Sequence, residues 1–167
     1  MKQVLLLRHA KSSWDHPGMK DFARPLNDRG QKDAPKVGKF LKEIDFLPDK
    51  IYSSPAERAI ETITLVAKSA GLNLKKIIWE DDLYFGSPRS YFDTIRAADN
   101  EDERIMLVGH NPLIEETIAY LLSRDSHLSV MMPTAAIVCL EANEKKWKNI
   151  EPGSCTLKWH IIPKALI

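Results

Sequence analysis

Three short stretches carry residue types suited to handling a phosphate. Val4-Leu5-Leu6-Leu7 runs into Arg8-His9-Ala10, and Ile105-Met106-Leu107-Val108 runs through Gly109 into His110-Asn111-Pro112. An imidazole can act as nucleophile, base or ligand, while a guanidinium is a permanent cation whose planar fork fits a phosphate. Between these two, Ser54-Pro55-Ala56-Glu57 has the form of a capping box with proline at the first helical position. Arg58 then falls at the fourth helical residue, and helical side chains lean back toward the N-terminus, where anions bind. Any one of these residues alone fits a core or surface position equally well. Two histidines delivered at strand ends, together with an arginine at a helix start, form a convergent anion site.

The elements that must position them follow from periodicity. Four consecutive apolar residues read as a strand buried on both faces, as in a parallel sheet covered by helices, and such sheets bind ligands beyond their carboxyl ends. A long connection over 11–30, with Pro17-Gly18 and Pro25-Leu26-Asn27 as turn signals, carries Lys11, Ser12, Ser13, His16 and Arg24. Ala34, Val37, Phe40, Leu41 and Ile44 then recur at helical spacing. Either Asn27 caps this helix, with Pro35 inside it, or Asp33 caps it with Pro35 in the first turn. Lys50-Ile51-Tyr52 predicts a short strand, and Ile60, Ile63, Thr64, Ala67 and Ala70 predict the inner stripe of the next helix, closed by Gly71. Further on come a strand over 74–79, a helix over 88–97 with Tyr91, Phe92 and Ile95 inward, and a helix over 113–122 begun by Asn111-Pro112. Strands over 135–140 and 155–161 follow, the second alternating so that one face is wet. His127 and His160 read as surface residues. This order predicts an α/β fold: a three-layer α/β/α sandwich, its central sheet mostly parallel with an antiparallel edge.

The 167 residues fit one domain over 1–167, large enough to bury a core without disulfides. With 24 Lys+Arg against 23 Asp+Glu, the net charge of +1 gives no bulk attraction for nucleic acid or membrane. No apolar run reaches the roughly 18 residues of a membrane span. Cys139 and Cys155 show no CxxC spacing, no secretory signal precedes them, and both read as reduced core residues of a cytoplasmic protein. GxGxxG and GxxxxGK[ST] are both absent, which leaves dinucleotide and P-loop readings without support.

Leu7-Arg8-His9-Ala10, Ser54-Pro55-Ala56-Glu57-Arg58-Ala59-Ile60-Glu61-Thr62 and Val108-Gly109-His110-Asn111 together resemble the three signatures of the histidine phosphatase superfamily, in the same order. The short chain, the Arg-His-Ala-Lys-Ser opening and Arg24-Pro25-Leu26-Asn27 are most similar to its SixA-type phosphohistidine phosphatase branch. The resemblance implies a phosphoglycerate mutase-like fold in which His9 attacks phosphorus and becomes a phosphohistidine that water hydrolyses. It also implies that Arg8 and Arg58 hold the phosphoryl oxygens, that His110 donates to one of them, and that Arg24 closes the pocket. Lys11 and Ser12 join as substrate-binding candidates. Neither metal nor cofactor is implied.

One departure concerns the general acid. Phosphomonoesterase branches place a glutamate after the third strand, where this chain has Glu80-Asp81-Asp82. Asp82 has the best spacing, with Asp81 and Glu80 as alternatives. A carboxylic acid there favours phosphomonoesters of small metabolites. Its absence favours phosphohistidine on a protein, because imidazole leaves with little help. A non-catalytic phosphate-binding or interaction module is the third reading, against which the retained His9 argues.

Overall fold

In the computed structural model, which describes residues 1–125 and 127–166, the apolar run behind His9 lies at the middle of the molecule. Strands β1 (Lys2–Arg8), β2 (Lys50–Ser53), β3 (Ile77–Trp79), β4 (Arg104–Gly109), β5 (Ile137–Ala142) and β6 (Cys155–Ile161) form one sheet in the order β3-β2-β4-β1-β5-β6. The β1–β4, β2–β4 and β2–β3 pairs are parallel, and the β1–β5 and β5–β6 pairs are antiparallel. Side chains of a strand alternate between faces, so the apolar run feeds two cores. Leu5 and Leu7 pack with helices α1 (Asp28–Glu43) and α2 (Glu57–Ala70) on one face. Val4 and Leu6 pack with α3 (Asp82–Phe85), α4 (Pro88–Arg96) and α5 (Leu113–Leu122) on the other. This is the three-layer sandwich, mostly parallel with an antiparallel edge.

One of the two alternatives for the first helix holds, and several other local readings are corrected. Asn27 is the cap of α1, its side chain accepting from the Gly30 N–H, and Pro35 lies within the helix. The capping box at Ser54 does not form: α2 starts at Glu57 with no side-chain cap bond, so Arg58 is its second residue rather than its fourth. Its buried stripe is Ala59, Ile63, Val66, Ala67 and Ala70, with Ile60 and Thr64 half-buried at the edge. Asn111 likewise does not cap α5: its Oδ1, the atom a cap would use, is buried without a partner, and its amide donates to Glu115 Oε1 and to the Met132 carbonyl. The third strand is shorter than expected, since residues 74–76 form a 3-10 turn.

In β6 the alternation fails at an irregularity opposite Cys139 and Leu140. The extra residue of a bulge flips the pattern beyond it. Cys155 therefore packs on the α4–α5 side, while Trp159 and Ile161 pack on the α1–α2 side. His160 is half-buried rather than on the surface. Both cysteines are buried and free. Among the described residues, no helix is long and apolar enough to cross a membrane.

Candidate active site

The register of the two central strands sets the site. Arg8 of β1 lies opposite Gly109 of β4, so the residues that follow, His9 and His110, leave the sheet side by side at its carboxyl end. The His9 N–H donates to the Gly109 carbonyl at 3.0 Å, and the two imidazole centroids are 5.1 Å apart. Both rings are buried.

Hydrogen bonds fix the His9 tautomer. Nδ1 lies 2.7 Å from the Ala10 carbonyl, which can only accept, so Nδ1 carries the proton. Nε2 accepts from Arg58 Nε at 3.3 Å and keeps its lone pair on the side of the arginine. Burial lowers the His9 pKa to about 3; the Ala10 contact opposes this, and the charges of Arg58, Arg8 and Arg24 reinforce it. His9 is therefore a neutral imidazole at physiological pH, the form a nucleophile requires. Thr62 ties the strand end to the helix: its Oγ1 accepts from the Ala10 N–H at 2.9 Å and donates to the Arg58 carbonyl at 2.6 Å.

His110 is held from two directions. Its Nε2 meets Ser54 Oγ at 2.7 Å, and Ser54 Oγ also accepts from the Ala56 N–H. Among the described residues the Ser54 hydroxyl has no acceptor besides Nε2, which assigns the His110 proton to Nδ1, a buried atom with no hydrogen-bond partner. The His110 N–H donates to Tyr91 Oη at 3.2 Å, and Tyr91 Oη donates to the Leu83 carbonyl at 2.6 Å. Burial, then the neighbouring His9 and Arg58, pull the His110 pKa down to about 3.

The arginines complete the cluster. Arg8 Nη1 donates to the Met132 carbonyl at 2.9 Å, while its buried Nε has no partner. Met132 is itself anchored, its N–H donating to Glu115 Oε1 and its carbonyl accepting from Asn111. Arg58 and Arg24 meet at a carboxylate absent from the sequence reading, that of Asp21 in a 3-10 turn over Asp21–Ala23. Burial works against its charge. Hydrogen bonds from Tyr84, Arg58 and Arg24, with the Arg58 charge, outweigh that and bring its pKa down to about 2. Arg24 also stacks on Trp14, its guanidinium carbon 3.5 Å from the ring centroid.

The structure thus brings His9, Arg8, Arg58 and His110 together and joins Arg24 to them through Asp21. Lys11 and Ser12 contribute backbone at the neck of the loop instead: the Lys11 carbonyl accepts from the Asn27 N–H, and Ser12 bridges Leu26. Asp82 opens α3 and lines a separate cavity with Tyr52, Glu80, Ser90 and Asp93. The carboxylate that touches the site's arginines is Asp21. Sequence reasoning missed Asp21, Tyr84, Tyr91 and the true role of Ser54. Only Ser54 had a signal, its place in a motif ahead of Arg58.

Comparison with known proteins follows the same lines. The family profile described as histidine phosphatase superfamily (branch 1) matches residues 4–83. A phosphohistidine phosphatase SixA homolog of Haemophilus influenzae is 29% identical over 152 residues, 86% of this chain and 91% of its own. The crystal structure of a candidate phosphohistidine phosphatase SixA from Agrobacterium tumefaciens is 30% identical with a TM-score of 0.80, covering 97% of this chain and 98% of that one. A protein histidine phosphatase SixA complexed with tungstate shares the fold at TM-score 0.82 and 23% identity, over 97% of each chain.

Proposed function

Because the chain belongs to the histidine phosphatase superfamily, we propose that it is a phosphatase working through a covalent phosphohistidine on His9, with phosphohistidine on a protein as its substrate. The observation that carries this reading is a set of unsatisfied donors around one lone pair. Arg8 Nε and His110 Nδ1 are both buried without partners, a condition that costs free energy unless a ligand satisfies it. Both residues adjoin His9, one preceding it in the chain and the other with its ring centroid 5.1 Å away, and a tetrahedral oxyanion bound beside His9 would call on such donors. The tungstate held by one of the related structures is an oxyanion of that class.

In the first step His9 Nε2 attacks phosphorus; the new P–N bond forms as the bond to the leaving group breaks, and that group departs with the electron pair and takes up a proton from solvent. In the second, water attacks the phosphohistidine, loses a proton to solvent, and releases phosphate and free His9. Arg8 and Arg58 neutralise charge on the equatorial oxygens and the neutral His110 donates a hydrogen bond to one of them, which is what phosphoryl transfer asks of a protein. No carboxylic acid is needed for imidazole to leave, and Asp21, fully ionised at neutral pH, has no proton to give.

The surroundings favour a protein substrate. Phe22 and Phe85 stack at 5.8 Å and both pack against Tyr84, whose ring meets His110 at 5.3 Å. Phe85 is 69% exposed and Trp14, on Arg24, is 73% exposed. An apolar rim beside a site suits a protein surface better than a small polyanion.

A substrate panel tests the proposal. A phosphohistidine peptide should be turned over well ahead of sugar phosphates, and Asp82→Asn should change that rate by no more than a few fold. A loss of about 10² to 10⁴ confined to alkyl phosphates, with the peptide a poor substrate, would make the protein a phosphomonoesterase with Asp82 as its acid. Absence of turnover on every substrate, including para-nitrophenyl phosphate, would leave a binding module.

A further inference from the structure

The loop between β1 and α1 sets a single residue against two arginines and a tyrosine. Asp21 Oδ2 accepts from Arg58 Nη2 at 3.0 Å and from Tyr84 Oη at 2.7 Å, and Oδ1 accepts from Arg24 Nε at 3.1 Å. The Asp21 backbone carbonyl accepts from Arg58 Nη1 at 2.7 Å. The Nη end of the Arg58 guanidinium is therefore held by Asp21, while its Nε is the donor given to His9. The loop that carries Asp21 is itself pinned at its neck: Ser13 N–H donates to the Pro25 carbonyl, Asn27 N–H to the Lys11 carbonyl, and Leu26 N–H to Glu61 Oε2 of α2.

We infer that Asp21 is a positioning residue: by clamping the far end of Arg58, and with it Arg24, it presents the Nε side of the Arg58 guanidinium to a phosphoryl group on His9. An arginine side chain has many rotamers, and donors stabilise a transferring phosphoryl group best when they are already in place. Asp21 contributes that order without touching the reacting atoms. Its hydrogen bonds leave the Nε side of Arg58 facing His9, so it need not be displaced when an anion binds. The clamp lies in the loop and the clamped side chain in α2, so the seating of the loop on α2 sets the direction of the Arg58 guanidinium.

The inference rests on the phosphatase reading for the identity of the anion, and the two fail differently. The probe is orthovanadate, with binding followed by calorimetry. Wild type that binds no vanadate would end the phosphatase reading. Given wild-type binding, folded Asp21→Asn should bind vanadate about tenfold more weakly or worse, and kcat/KM on para-nitrophenyl phosphate should fall in parallel. A residue that served only folding would alter melting temperature but not vanadate affinity per folded molecule. Combined with Arg58→Lys, the same Asp21→Asn change should cost less than about threefold in kcat/KM, since the clamped group is gone. Unchanged vanadate affinity would overturn the inference, and so would tighter binding, which would make Asp21 an internal competitor of the anion. An equal loss in the Arg58→Lys background would overturn it as well. Asp21→Ser carries the same expectations if the asparagine variant does not fold, and loss of the fold in both would assign Asp21 to the fold instead.

Discussion

His9 keeps Nε2 unprotonated by committing its one proton to the Ala10 carbonyl, and burial keeps the ring neutral far below the usual histidine range. Those two facts leave His9 in the form that a nucleophile requires. His9→Ala should therefore fold and lose at least about 10³ in turnover. Wild type quenched during reaction with radiolabelled substrate should carry acid-labile phosphate that the variant lacks; near-normal activity in His9→Ala would remove the residue from the mechanism. Arg58 uses all three of its nitrogens at fixed angles, and Arg8 holds the Met132 carbonyl with Nη1 while its Nε stays unpaired, arrangements that an ammonium on a flexible stem does not reproduce. Arg8→Lys and Arg58→Lys should both weaken vanadate binding, and an unchanged dissociation constant in either would make that arginine a bystander.

At the scale of elements, the site depends on β4 meeting α4 closely. A Cβ on Gly109 would lie 1.9 Å from Tyr91 Oη, the atom that accepts from the His110 N–H and donates to the Leu83 carbonyl. Tyr91 is fully buried and has little room to move. Gly109→Ala should thus cost about 1–3 kcal/mol of stability through overpacking, seen as a lower melting temperature together with lower activity. Ser54 sits where the sequence suggests a helix cap, but its hydroxyl serves His110 across the sheet end. Ser54→Ala should accordingly cut turnover about tenfold and also lower the melting temperature, because it leaves the buried His110 ring and the Ala56 N–H without their partner. A fall in stability with intact activity would confine Ser54 to a structural role.

For the whole molecule, the neutral histidine pair predicts acid lability. In the unfolded chain each histidine protonates near its ordinary value of 6.5, whereas His9 and His110 stay neutral in the fold down to about 3. Between those values the unfolded chain binds more protons, so stability falls as pH falls. One proton of difference is worth about 1.4 kcal/mol per pH unit. Asp21 acts in the same direction lower down, its carboxyl at about 2 in the fold against an ordinary 3.8. The melting temperature should be level above about pH 7 and drop below about pH 6. His9→Gln and His110→Gln should each flatten the acid limb, and a melting temperature that rises on acidification would contradict the pairing.

What the sequence determined by itself is whatever local pattern encodes. The apolar runs at Val4–Leu7 and Ile105–Val108 were legible as two-faced strands, because burial on both sides leaves no polar alternation to hide them. His9 and His110 followed as residues at carboxyl ends, and Arg58 as one at a helix start. The caps at Ser54 and Asn111 were misread because short polar side chains serve a helix end or a distant partner equally well, and only packing decides which. The faces of β6 were misread because a single bulge inverts a period-two pattern. Asp21 lies in an aperiodic loop, three residues before Arg24, and nothing local marks it. Its place among Arg24, Arg58 and Tyr84 exists only once the loop folds over α2 and α3, bringing together groups up to 63 positions apart. The sheet register that sets His9 beside His110 is likewise a long-range choice, because strand pairing depends on contacts across the whole chain rather than on any one stretch of it.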